Sequence, residues 1–307
     1  MVRIYSTRDS KIIEEFNLHL VDEVSKEGFI SGYRSGFTEE YYIRYEELNN
    51  EYGLKKRNII TIPSKGGNFQ LDDKLNMNFL SGTYYNDVLL TVTNLGNGNK
   101  YRDLTQKAKL TSISGYYEVS IINNIGKCNN ENKIELSFEY YGSPKIVGIY
   151  KIVDNELVYI SSHEEEGKIK TSISPNSIGK EGSIFVVCID DDYGEPYDIR
   201  GHWARDEIDV FLRRKYMSSY KDKTFRPNGY MTKGQLLMTL SKVYKWDLPK
   251  NTDEVSKMAD YNEFKHYGNV SEYCLQNGYI AKDEKNKLNM NSAMSYREVE
   301  DLMRKVM

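Results

Sequence analysis

Apolar residues recur with a period of two from about residue 58 to residue 189, and with a helical period from about residue 197 onward. One layer cannot serve both patterns, because a strand turns alternate residues inward and a helix every third or fourth. A chain of 307 residues is also long enough for two or three domains. The sequence therefore predicts an α+β multidomain protein, with an antiparallel β-sandwich at 58–192 and an all-α region at 193–307. The runs NIITIP, NFQLD, LNMNFL, DVLLTVTN, YYEVSIIN, KIELSFEY, KIVGIYKI, ELVYIS, KIKTSI and SIFVVCI are short and β-rich. Gly, Asn, Asp or Ser clusters separate them, as between the strands of a sandwich. The acidic stretch DDDYGEP at 190–196 reads as a linker. Residues 1–57 read as mostly helical, with Thr38 capping EEYYIRYEELNNEY and Gly53 ending it.

The last region holds two related units, 197–248 and 258–307, each a helix, a structured loop and a second helix. Ala204, Ile208, Phe211 and Leu212 share one helix face in the first unit, and Leu236, Leu237, Leu240, Val243 and Tyr244 share another. In the second unit Val270, Cys274 and Leu275 line one helix, and Val299, Leu302, Met303 and Val306 the other. Thr232 is followed three residues later by Gln235, and Ser295 by Glu298. Both fit a capping box, in which the two side chains satisfy backbone N–H groups that the helix start leaves open. Helix pairs this short cannot bury their stripes alone, so the units should pack on each other.

Composition excludes several functions. The net charge is −3, which is no nucleic-acid footprint. Residues 197–307 hold 20 Lys and Arg against 16 Asp and Glu, a net of +4, so the helical part suits an anionic polymer better than the rest. No run approaches the ~20 apolar residues of a membrane span. The opening MVRIYSTRDSKIIEEF lacks a signal peptide's apolar core, so a surface location requires a mature fragment or the tail of a longer polypeptide. The 26 Tyr offer flat apolar faces with hydroxyls, which suit exposed sheet faces and sugar stacking. Cys188 and Cys274 read as small core residues, Cys128 as a loop residue, and none has metal-ligand spacing. His19, His163, His202 and His266 are scattered, so no metal and no cofactor is expected. No GxSxG elbow or phosphate-binding loop occurs.

Three motifs in the first helical unit carry a family resemblance. Tyr197 to Ala204, YDIRGHWA, resembles the opening of S-layer homology repeats. Tyr220 to Asn228, YKDKTFRPN, is similar to their loop, and Met231 to Leu236, MTKGQL, to the start of their second helix. The second unit keeps Ala259-Asp260, Asn277 to Ile280 and the box from Ser295 to Glu298, but lacks the tryptophan and most of the loop sequence. Such repeats usually work in threes as a helical prism. Residues 17–48, with LHLVDEVSKEGFISGYRSGF and IRYEEL, offer a possible third copy, and an unrelated helical hairpin is the alternative. The middle region is similar to β-sandwich modules of clostridial and bacillar surface proteins, through its Gly-Gly entry GGNFQLD and the run from KIELSFEY to SIFVVCID.

The resemblance implies a non-enzymatic bacterial surface protein, outside the cell at its wall, attached to secondary cell-wall polysaccharide. That ligand is anionic and often bears a pyruvate ketal. Carried over by position, Trp203 would shape or stack at the groove, with core packing as the alternative. Lys233 would replace the family's arginine as the cation, or be a solvated first-turn lysine. Asp222 would organise the loop or bond sugar hydroxyls. Tyr220, Arg226 and Arg297 complete the candidate set. Lysine is a point charge where arginine is a planar fork, which weakens carboxylate recognition. Two other readings stay open: a structural or self-associating module without glycan binding, and a surface carbohydrate-active hydrolase.

Overall fold

The computed structural model describes residues 2–5, 12–16, 41–44, 57–72, 74–96, 99–121, 127–140, 146–179 and 181–307. The chain divides into two compact units, Met1–Tyr193 and Gly194–Met307.

The first unit contains β1 (Val2–Tyr5), β2 (Ile12–Phe16), β3 (Tyr41–Arg44), β4 (Arg57–Ile62), β5 (Gly67–Asp72), β6 (Leu75–Phe79) and β7 (Val88–Asn94). Helix α1 (Asn99–Ala108) follows, then β8 (Thr111–Ser112), β9 (Tyr117–Ile121), β10 (Ile134–Glu139), β11 (Val147–Val153), β12 (Glu156–Ile160), β13 (Ser162–Glu165), β14 (Lys168–Ile173) and β15 (Ser183–Ile189). One sheet has five strands in the order β13-β14-β10-β6-β5. The other runs β12-β11-β15-β9-β7-β4-β3, with β8 on β15, and β1 pairs with β2 in a two-stranded sheet. Ladders within the two large sheets are antiparallel.

Alternation explains why the two sheets face each other. Ile134, Leu136 and Phe138 of β10 meet Leu75 and Met77 of β6 in one buried cluster. Leu90 and Val92 of β7, Val119 and Ile121 of β9 and Phe185 and Val187 of β15 join it from the other sheet. Burying each such side chain stabilises the fold by roughly 1.5–3 kcal/mol. Two tight hairpins set the register. Asp154 and Asn155 link β11 to β12, and Glu166 and Gly167 link β13 to β14, all four with positive φ. That is the turn geometry whose twist matches paired strands.

Two expectations change here. The helix expected after Thr38 is a strand at Tyr41–Arg44, paired along β4 with Ile43 opposite Ile59. Aromatic and β-branched residues favour a pleated ladder, and β4 supplies the backbone partners. Strands β1 and β2 also replace helix within residues 1–57. Ile43 and Arg44, expected to open a helix of a third repeat, lie in β3, and residues 17–40 and 45–48 are outside the described residues. Second, the region expected to be all strand contains α1. Its buried Tyr101 stacks on Tyr116 at 4.7 Å, and the Tyr116 hydroxyl donates to the Tyr101 carbonyl at 3.1 Å. The stretch expected as linker begins inside the unit: Asp190 is buried and accepts from the Tyr150 hydroxyl. Cys188 and Cys274 are fully buried, as expected for core residues. Cys128 is half-buried, and its thiol donates to Asn176 Oδ1 at 3.1 Å.

The second unit holds α2 (Arg205–Arg213), α3 (Lys233–Val243), the single turn α4 (Tyr261–Phe264), α5 (Gly268–Gln276) and α6 (Tyr296–Val306). Both capping boxes form, Thr232 with Gln235 and Ser295 with Glu298. Its core joins Leu237 and Leu240 of α3 to Val270 and Cys274 of α5, Leu302 of α6, and Leu288 and Met290 of the loop between them. The second helix of the first repeat thus shares a core with the whole of the second repeat. Glu272 is buried, yet its carboxylate is matched: it accepts from the backbone N–H of Glu254 and Val255 and from the Gln276 amide.

Two substitutions test these statements. A Cβ on Gly66 would lie 2.3 Å from the Phe79 carbonyl oxygen, and the residue has φ +74°. Gly66→Ala should therefore cost the sandwich about 2–4 kcal/mol in chemical denaturation. Glu272→Ala strands two backbone N–H donors in the helical core and should cost about 2–4 kcal/mol by thermal unfolding. A loss below about 0.5 kcal/mol in either would contradict the packing described.

Candidate functional site

From the first helix onward the two repeats align in sequence at one spacing. Helices α2 and α5, and the N-caps Thr232 and Ser295, each lie 63 residues apart. The helix ends agree bond for bond: Lys215 N–H donates to the Leu212 carbonyl as Gly278 N–H does to Leu275, and Tyr216 to Phe211 as Tyr279 to Cys274. The loops agree too. Tyr220 N–H donates to the Thr224 carbonyl and Asp283 N–H to Lys287, and Lys223, Arg226, Asn286 and Asn289 all have positive φ. The second copy has lost the loop's sequence and kept its backbone.

Carboxylates hold both loops. Asp198 accepts from the N–H groups of Phe225 at 2.9 Å and Arg226 at 2.7 Å. Asp260 accepts in the same way from Leu288 at 3.1 Å and Asn289 at 2.8 Å. Desolvation of Asp198 acts to raise its pKa, but the two N–H donors prevail and lower it. Asp222 accepts from the hydroxyl of Thr224 at 2.6 Å, from its N–H at 3.0 Å, and from the Arg226 guanidinium at 2.9 Å. The Thr224 hydroxyl first, then Arg226, hold the Asp222 carboxyl down to about 2. In the second loop this role moves to Asp283, whose pKa is lowered by the Asn289 amide and then by the Lys287 N–H.

The structure gathers Tyr220, Asp222 and Arg226 into one cluster. The Arg226 guanidinium lies 4.1 Å over the Tyr220 ring, and the Tyr220 hydroxyl accepts from the Gln235 amide at 3.2 Å. Trp203 is 89% exposed, so the core-packing alternative is excluded. It lies beside His202, whose Nδ1 accepts from Ala204 N–H and whose Nε2 contacts the Asn228 side chain at 3.3 Å. Lys233 is half-buried at the start of α3, and its ammonium donates to the Leu288 carbonyl at 3.0 Å. Arg297 is exposed in the first turn of α6. The sequence reading missed Asp198 and Asp260 as loop anchors. Their signal was present as an aspartate one residue after Tyr197 and after Ala259.

Residues 197–237, which span α2, the first loop and the first turn of α3, match the family model of the S-layer homology domain. Over those residues the first helical repeat is similar to an S-layer homology domain. Over 91 residues, 29% of the chain, the sequence is 28% identical to Cell surface glycoprotein 1 of Acetivibrio thermocellus. That stretch covers 4% of the length of this relative. No described helix is long and apolar enough to cross a membrane.

The Asp222 contacts carry a pH signature. Its folded pKa lies below the ordinary 3.8, so its contribution to the loop is complete above about pH 4 and is lost as the pH falls toward 2. In a carboxyl NMR titration Asp222 should show a midpoint near 2 in the native chain. Arg226→Ala should raise it toward 3.8, and an unchanged midpoint would remove Arg226 as a cause.

Proposed function

We propose that the helical unit attaches a bacterial surface protein to an anionic secondary cell-wall polysaccharide, and that it does so without catalysing a reaction. The family match supports this, since S-layer homology domains generally bind cell-wall polymers. The observation that carries the reading is Trp203, an indole left 89% exposed beside a loop fixed by two carboxylates. An aromatic face held in the open next to a rigid polar loop suits a sugar ring. The loop supplies amide and hydroxyl groups at Asn228 and Tyr220.

Charge fits an acidic glycan in part. Arg226 is occupied by Asp222 and Tyr220. An ammonium has three N–H donors, and Leu288 takes one of those of Lys233. A carboxylate on the ligand would meet a point charge, and recognition would depend more on stacking than on a bidentate ion pair.

Sedimentation with purified wall polysaccharide at physiological salt tests this. Trp203→Ala is expected to weaken binding about tenfold or more, and to leave thermal stability within about 0.5 kcal/mol because the ring is exposed. Absence of co-sedimentation by the unaltered chain would overturn the reading. Release of reducing ends from wall or plant polysaccharides would overturn its non-catalytic part.

A further inference from the structure

The joint between the two repeats has a definite construction. The N-terminus of α3 donates its first N–H groups to the second loop, Lys233 to the Ser292 carbonyl at 3.0 Å and Gly234 to Met290 at 2.8 Å. Thr232 bridges Ala293, and the Lys233 ammonium reaches the Leu288 carbonyl. Gly234 has no side chain because the Tyr267 ring fills its place, 2.3 Å from where a Cβ would sit. A donor edge, the start of a second helix, thus meets an acceptor edge, a loop and the residue before a first helix.

Among the described residues, repetition leaves one edge of each kind without its counterpart. The start of α6, at Ser295, Tyr296 and Arg297, repeats the donor edge, and all three residues are exposed. The first loop, with the carbonyls of Phe225, Pro227 and Gly229, repeats the acceptor edge, and Ala204 stands where Tyr267 stands in the second copy. The sizes are complementary: glycine against tyrosine in the formed joint, arginine against alanine in the open one. Exposure points to the same two edges. Trp203 at 89%, Tyr230 at 89% and Tyr296 at 87% are the most exposed large apolar residues described. Trp203 precedes Ala204, Tyr230 matches the bridging Ala293, and Tyr296 matches Lys233. Aromatic residues displayed this way mark interfaces.

We infer that the donor edge at the start of α6 docks on the acceptor edge of a second copy of this chain, head to tail, repeating between chains the joint formed within one. The contact is heterologous, so it propagates into a ring or a filament. Arg297 lies over Ala204 of the next copy, as Gly234 meets Tyr267 within one, and the first N–H groups of α6 meet the carbonyls of its first loop.

The full chain should associate with rising concentration in sedimentation velocity, without polysaccharide present. Ala204→Arg obstructs the acceptor edge, and Arg297→Glu sets a carboxylate against the loop carbonyls. Each variant alone should stay monomeric. An equimolar mixture should form a heterodimer, because one variant keeps its donor edge and the other its acceptor edge. Tyr230→Ser with Tyr296→Ser should repeat this pattern, which covers the case where a first variant fails to fold. A chain that stays monomeric at about 0.1 mM, well above the Kd of a specific assembly, overturns the inference. So does a mixture of folded variants that stays monomeric while the unaltered chain assembles. Wall attachment is untouched by either result, since no glycan enters the assay.

Discussion

A carboxylate gripping two consecutive backbone N–H groups is the contact on which the helical unit depends. Asp198 does this for the first loop and Asp260 for the second, across 27 to 29 residues of chain. Each grip fixes where a loop ends, and so where the next capping box can start. A helix beginning at the right place then presents Leu237 or Leu302 to the core. A loop with several positive-φ residues that are not glycine stores strain, and the paired N–H bonds to a charged acceptor offset it, being stronger than neutral ones. This explains how the second loop keeps its shape after its sequence has drifted.

The β unit rests on a different constraint. Its two sheets share one core, and hairpins with both central residues at positive φ hold the registers. A slip of one residue would turn Leu136 and Phe138 away from the shared core and set Glu135 in it, which is prohibitive. On the other face of the larger sheet, Tyr150 and Tyr159 are as buried as the core. A sheet buried on both faces needs polar atoms matched at its surface, and tyrosine hydroxyls do this: Tyr150 to Asp190 and Tyr159 to the Ser162 carbonyl. Part of the large tyrosine count is thereby accounted for inside the fold.

Strand runs such as VLLTVTN and SIFVVCI were legible because a period of two survives any tertiary context. The capping boxes were legible because they are local. The strand at Tyr41–Arg44 was not, since EEYYIRYEEL satisfies a helical pattern equally well and only the free edge of β4 decides. Helix α1 was overlooked for a related reason. Its apolar residues Tyr101, Leu104 and Ala108 are few, and neighbouring strands dominated the reading. At the site, exposure of Trp203 and the bond from Lys233 to Leu288 follow from how two repeats meet. No single motif contains that information.

Of the three thiols, the two with no exposure are sealed in their cores, and burial pushes Cys274 up to about 12. Cys128 alone has an open side, in a short antiparallel bridge with Tyr84. Covalent reagents, oxidants and metal surfaces will therefore find this protein one-handed, always held from the same corner of its β half. Any label or tether placed there leaves the helical half chemically clean.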